Sequence, residues 1–465
     1  MAPTKTASDN EREPSSGEES SVLLRTKVGY AIGDLGLSIA YFAVGFFFLF
    51  YLTDVIGLSA SAAGTVVLIG KLWDGVNDPL IGVMSDRTRS RHGRKRVYLL
   101  YGAIPFAISF ALLWWVPLGV SQTAAFVLAA LAILFFATAY SLVAVPYMAM
   151  VPVMTVDYDE RTQVIGFRAM FSSFGTITGG GIALLVSQED GVENALRGIS
   201  IGFGIFCAVA IFVAAASIKG LEAQREVDIS RVPFRRYVAL AREPNVSTLL
   251  WFKLLGAVAT GVLTASLPFF AEHVVGSTGL ASVSLAIYTI TAAALVPLVN
   301  RLTHRVDKRR LLLAANILAA LLLLILGLLV GTDSTILFLI GSALLGAAMS
   351  AYLLIPGSLV PDLVDWYEYE HGERHESVFF GLWMTIHQIG LGVAGFALGM
   401  LLQFFDYEGS ADVQTESGVL GVRLAFGVLP GLFLVIAAVV LLRYQISRDQ
   451  FEEARRALEA EAGRS

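Results

Sequence analysis

The sequence predicts an all-α membrane protein with about twelve transmembrane helices. Three observations predict it. Hydrophobic residues fill 56% of the 465 positions and charged residues only 15%, where a water-soluble chain carries nearer ~25%; mean hydropathy is +0.69. The apolar residues are gathered into runs of roughly twenty, the length a helix needs to cross the hydrocarbon core. The basic residues collect in alternate connections, which is the bias that orients membrane helices.

Taken in order, residues 1–26 form a polar tail rich in Ser, Glu and Pro, with no apolar core after a basic start. A disordered tail is expected there, and not a cleaved signal peptide. The first span, 28–53, carries Asp34, and the second, 60–85, carries Lys71, Asp74, Asn77 and Asp78. The third and fourth, 97–117 and 123–150, are uncharged. The fifth, 162–186, holds Arg168, and the sixth, 198–218, ends at the polar segment 219–244, which reads as a linker. The seventh, 245–271, carries Lys253. The eighth, ninth and tenth are expected over 277–300, 311–331 and 334–357, the eleventh over 377–405 with Trp383, His387 and Gln388, and the twelfth over 424–442.

The connection after the second span holds Arg87, Arg89, Arg91, Arg94, Lys95 and Arg96; those after the sixth and eighth are similarly basic. The intervening connections offer little beyond Arg197 and Arg423. Both termini are therefore expected in the cytoplasm of a cell whose plasma (inner) membrane holds the chain.

The two halves echo each other. Val151-Pro152 precedes Asp157-Tyr158-Asp159-Glu160-Arg161 before the fifth span, and Val360-Pro361-Asp362 precedes Asp365-Trp366-Tyr367-Glu368 and Glu373-Arg374 before the eleventh. The basic connection after span two likewise has a counterpart after span eight. Two six-helix bundles, 27–218 and 245–443, with a cytoplasmic linker and a tail over 444–465, form the layout of a major facilitator transporter. Such folds place the substrate near the bilayer midplane between the halves.

Ionisable groups at membrane depth are costly and usually face a cavity or a partner. Asp74 and Asp78 are four apart and share a helix face, with Asn77 beside them. Their hard oxygens suit a small cation such as Na⁺, or a proton. The alternative is a structural network in which Lys71 neutralises one acid. Asp34 either faces substrate or pairs with a cation such as Arg168. Lys253 is expected to snorkel to the interface. His387 either bonds a neighbouring helix or joins Trp383 and Gln388 in a patch suited to a sugar ring.

The run Trp73-Asp74-Gly75-Val76-Asn77-Asp78-Pro79-Leu80-Ile81-Gly82, continued by Ser85-Asp86-Arg87 to Arg96, resembles the glycoside–pentoside–hexuronide:cation symporter family, the melibiose-carrier branch of the major facilitator superfamily. Tyr30 to Gly36, Tyr51 to Gly57, Asp159 to Thr162 and Glu376 to Trp383 fit the same pattern over nearly the whole chain. The resemblance implies Na⁺ or H⁺ symport by alternating access. It implies a cation site at Asp74, Asn77 and Asp78, with a helix 4 hydroxyl at Ser141, and a family arginine at Arg168. The positions at which galactoside carriers place acids are Ser38 and Ala144 here, and a family lysine falls on Gln388. The expected cargo is a small solute, a sugar or glycoside, with a lysolipid-like amphiphile as the alternative. A non-transporting receptor on the same scaffold is a further alternative. A cytoplasmic gate of ion pairs is expected between Asp86, Arg87, Arg94 and Arg96 on one side and Asp157 and Arg161 on the other. Enzyme chemistry is not expected: the single Cys207 excludes a cysteine cluster, and no nucleophile–base pair lies in the spans. No cofactor is expected beyond the transported ion. The expected partners are the solute and the bilayer, with no nucleic acid, and a monomer is expected.

Overall fold

Hydrocarbon offers backbone amides no partner, so each apolar run must close its own hydrogen bonds, which a helix does. The computed structural model describes residues 22–155, 158–186, 192–221, 234–332, 334–372, 376–409, 411, 413–445, 450 and 456. Within them lie twelve long helices: α1 (Leu24–Phe50), α2 (Ala60–Arg87), α3 (Arg96–Leu113), α4 (Gln122–Met148), α5 (Tyr158–Gly180), α6 (Val192–Ser217), α7 (Pro244–Phe270), α8 (Gly279–Thr303), α9 (Lys308–Leu329), α10 (Thr335–His371), α11 (Glu376–Phe404) and α12 (Glu416–Leu441). Ten of them are long and apolar enough to cross a membrane. The other two, α2 and α5, carry the charges that set them apart.

In the first half α1 packs on α5 and α6, α3 on α4 and α6, and α2 on α4. In the second, α7 packs on α11 and α12, α9 on α10 and α12, and α8 on α10. The repeat shows in detail. Both α1 and α7 run on into a widened final turn, Tyr51–Val55 and Ala271–Val275 respectively.

The halves meet along α2–α11, α5–α8 and α1–α7. Lipid gives helices no hydrophobic drive to associate, so close backbone approach through small residues matters. A Cβ on Gly64 of α2 would stand 2.6 Å from the Gly395 carbonyl oxygen of α11. At the same end of the bundle Phe50 packs edge-on against Phe269, with ring centroids 5.1 Å apart. The helix after α5 breaks at Gly181, and Ser282 of α8 repairs the gap. Its hydroxyl donates to the Gly180 carbonyl at 2.6 Å and accepts from the Leu184 amide at 3.0 Å. These three seams lie at the end of the bundle opposite the termini.

Several boundaries differ from expectation. The apolar run predicts that α10 stops before Val360-Pro361, but the helix continues through Pro356 and Pro361 for 37 residues. Proline is tolerated in membrane helices because neighbours re-satisfy the freed carbonyls. Gly372, at φ +69°, ends α10 in the left-handed cap that glycine favours. The fifth span, expected to reach 186, breaks at Gly181 instead. α1 begins at Leu24, inside the expected tail, and a short helix (Phe234–Ala241) stands in the expected linker. Tyr444 is buried, and the amide of Gln445 donates to Asn245 Oδ1 at 3.1 Å, so the chain stays packed just beyond α12.

Candidate functional site

The charges of the spans fall into three clusters. On α2, Lys71 lies 3.0 Å from Asp74 Oδ2, one turn on. That pairing accounts for one carboxylate oxygen. Asp74 Oδ1 and the Asn77 side-chain nitrogen are buried with no hydrogen-bond partner among the described residues. Asp78, one turn further, accepts from the Ser141 hydroxyl of α4 at 2.5 Å and makes no ion pair among the described residues. The helical spacing thus places two carboxylates, an amide and a hydroxyl together, and one of the four partners arrives from a second helix.

A second cluster joins α1, α4 and α5. Arg168 Nε donates to Asp34 Oδ2 at 2.5 Å. Tyr147 donates to the same oxygen at 3.3 Å and to the Tyr30 carbonyl at 2.8 Å. The guanidinium lies over the Tyr147 ring, 5.0 Å from its centroid. Of the two readings open for Asp34, pairing with Arg168 is the one seen. Ser38, one turn on, shares a 2.7 Å hydrogen bond with Ser172 of α5, and Ala144 is a buried packing residue of α4.

The third cluster bridges the halves. Tyr41 of α1 donates to Gln388 Oε1 of α11 at 3.4 Å, and Lys71 sits 4.5 Å over the Tyr41 ring. One turn before His387 on α11, Trp383 is buried under Lys253 of α7, whose ammonium lies 4.9 Å from its ring centroid. The expectation that Lys253 snorkels to the interface is therefore corrected: the side chain turns onto α11 because an aromatic face is within reach. His387 Nδ1 is buried without a hydrogen-bond partner, and its ring lies within the fields of Lys253 and Lys71.

At the terminus-bearing end, the expected gate residues are engaged within their own half. Asp86 pairs with Lys95 at 3.4 Å, Arg96 Nε donates to the Ala215 carbonyl at 2.6 Å, and Arg161 Nε donates to the Thr155 carbonyl at 2.9 Å. Arg87 is exposed and Arg94 is partly buried. Asp157 lies outside the described residues. Lys27 ties α1 to α5 through Glu160 at 3.0 Å, and Lys308 ties α9 to α10 through Asp362 at 2.6 Å.

The opposite end holds a cluster that sequence reasoning missed. Asp54 Oδ1 lies 3.0 Å from His273 Nε2 and accepts from Tyr407 at 2.5 Å, while Thr53 donates to Oδ2 at 2.6 Å. Asp54 comes from the first half, His273 and Tyr407 from the second. The acid and the histidine stand in the matching widened turns of α1 and α7, a match that only the fold displays.

A family model described as "MFS/sugar transport protein" matches residues 29–448. The chain is 26% identical to the glucuronide carrier protein homolog of Escherichia coli (strain K12), covering 92% of the chain and 94% of that protein. It is 24% identical to the sodium-dependent lysophosphatidylcholine symporter 1-A of Danio rerio, covering 92% and 86%. Among solved structures, the nucleoside transporter NupG superposes with a TM-score of 0.65 at 13% identity, covering 90% and 99%. That last likeness is one of fold.

Proposed function

Because the chain belongs to the MFS/sugar transport protein family, and is thus a membrane transporter and not an enzyme, we propose that it couples a small solute to the movement of Na⁺ or a proton. The observation that carries the proposal is the charge balance of α2. Lys71 offsets Asp74, and Asp78 is left with a neutral hydroxyl from Ser141 and no ion pair among the described residues. An aspartate at membrane depth costs about 2.5–3.5 kcal/mol even by the mildest scale. One monovalent cation restores neutrality, and the unpartnered Asp74 Oδ1, the Asn77 amide, Asp78 and Ser141 are oxygen-rich donors of the kind Na⁺ accepts.

The solute site we assign is the space flanked by Asp34–Arg168, Ser38 and Ala144 on the first half and by Trp383, His387 and Gln388 on the second. In the state described, the halves close at the end bearing Asp54 and His273. The basic-loop bias places the other end in the cytoplasm, so this conformation opens inward. Asp86, Arg87, Arg94 and Arg96 and their expected partners Asp157 and Arg161 all belong to the first half, so the gate we assign to them works within that bundle, fastening or freeing its cytoplasmic ends; exposed pairs worth roughly 0–1 kcal/mol suit a gate that must reopen. A sugar or glycoside is the favoured cargo, supported by the family description. A lysolipid-like amphiphile is the second reading, supported by the likeness to the lysophosphatidylcholine symporter.

The test is uptake by proteoliposomes under an imposed Na⁺ or proton gradient. Stimulation by one gradient, lost in Asp78→Asn with the protein still folded, is the expected result. Uptake indifferent to both gradients, or unaltered by that substitution, removes the coupling.

A further inference from the structure

Three cations lie within the spans, on α2, α5 and α7. Two have carboxylates: Lys71 with Asp74 at 3.0 Å and Arg168 with Asp34 at 2.5 Å. The third, Lys253, has none among the described residues. Its ammonium has the face of Trp383 at 4.9 Å, and one turn further along α11 the Nδ1 of His387 is buried with no partner. A cation–π contact contributes about 0.5–2 kcal/mol. The ring carries no net charge to set against the ammonium. The ring therefore does not balance the charge.

We propose that Lys253, with His387 beside it, is the receptor for an anionic group on the transported solute, a carboxylate or a phosphate, seated over Trp383. This rests on the transporter reading above and narrows its cargo. The electrostatics of the whole seam agree. With the two ion pairs neutral, the empty site keeps one uncompensated acid, Asp78, on the first half and one uncompensated ammonium, Lys253, on the second. A cation on the acid and an anionic solute on the ammonium neutralise both at once. The fully loaded carrier is then the species best suited to close around its contents, and each ligand alone leaves one charge uncovered.

Two matched pairs of probes test this on the purified full-length protein in detergent. Glucuronate against glucose presents a sugar with and without its carboxylate; lysophosphatidate against monoacylglycerol presents an acyl chain with and without its phosphate. We expect the charged member of one pair to raise Tm, and the pair that responds identifies the source of the anion. Lys253→Gln should weaken that binding by about tenfold or more, since truncating one side of a buried charge pair has large effects, and Lys253→Arg should retain most of it. Lys253→Gln should also leave the Tm of the empty protein unchanged or raised, because it removes a charge that lacks a partner. A fall in that Tm would show Lys253 to be paired structurally and would overturn the proposal. So would an equal response to charged and neutral members in both pairs. Gradient-driven uptake of glucose that Lys253→Gln leaves intact would overturn the anion site while the transporter reading stands. Absence of both a Tm shift and gradient-driven uptake for all four probes would overturn the anion site and leave the family's transporter role standing.

Discussion

Asp54, in the widened turn that ends α1, lies 3.0 Å from His273, in the equivalent turn that ends α7. The contact joins the closing turns of two pseudo-equivalent helices across the boundary between the halves, and Tyr407 completes it from beyond α11. We expect His273→Ala or Asp54→Asn to loosen this end of the bundle. The check is thiol labelling. Cys207 is the single cysteine and is buried, so a cysteine introduced at Phe269 in a Cys207→Ser background reports access to this end alone. Labelling should rise several-fold in either variant; an unchanged rate would mean that the α2–α11 packing closes the end unaided.

That packing makes its own prediction. The backbones of α2 and α11 touch where Gly64 faces Gly395 and Gly399 faces Ala60. Gly64→Val places a branched side chain against backbone that cannot yield. We expect a Tm lower by several degrees and a population shifted toward opening at this end, read by the same cysteine. Gly45, whose added Cβ meets nothing within 4 Å, provides the control: Gly45→Ala should leave both readouts unchanged.

At the α2 acids, the Ser141 hydrogen bond to Asp78 separates coupling from folding. A hydrogen bond to a charged group contributes about 1.5–3 kcal/mol, so Ser141→Ala should weaken apparent cation affinity by roughly 10- to 100-fold while leaving the solute site intact. The measurement is the cation concentration that half-saturates uptake. An unaltered value would show that Ser141 merely caps a buried acid.

The Lys71–Asp74 pair behaves differently. Removing one member of a buried pair strands the other, at about 3–5 kcal/mol. Lys71→Met alone should therefore lower Tm sharply. The double variant Lys71→Met with Asp74→Asn should recover most of that loss, and a cation-dependent Tm shift should remain absent from it. Full recovery of the cation response would relocate the site away from Asp74.

The helices were legible because their apolar runs match the bilayer, and the α2 acids because four-residue spacing puts Asp74 and Asp78 on one face whatever surrounds them. Ser141 was reached by resemblance; nothing in its own neighbourhood of the sequence marks it. Lys253 was misread because its place within α7 suggested an interface. Only the fold shows that Trp383, 130 positions further on, lies beneath its ammonium. α10 was cut short at Pro361, since proline breaks helices in water and is far better tolerated where neighbours shield the backbone. The Asp54–His273–Tyr407 cluster could not be seen in one dimension, because its three members come from three separate connections.

The length of α10 has a consequence of its own. At 1.5 Å per residue, 37 residues extend about 55 Å, against roughly 30 Å of hydrocarbon. The surplus stays part of its bundle, with Leu363 and Val364 buried, Trp366 packed on the same core and Lys308 of α9 paired to Asp362. A tilt of about 10° about the membrane centre sweeps the tip of such a rod by several ångströms. Trp366, on that surplus and edge-on to His371, becomes a reporter of the tilt once the other five tryptophans are replaced by Phe.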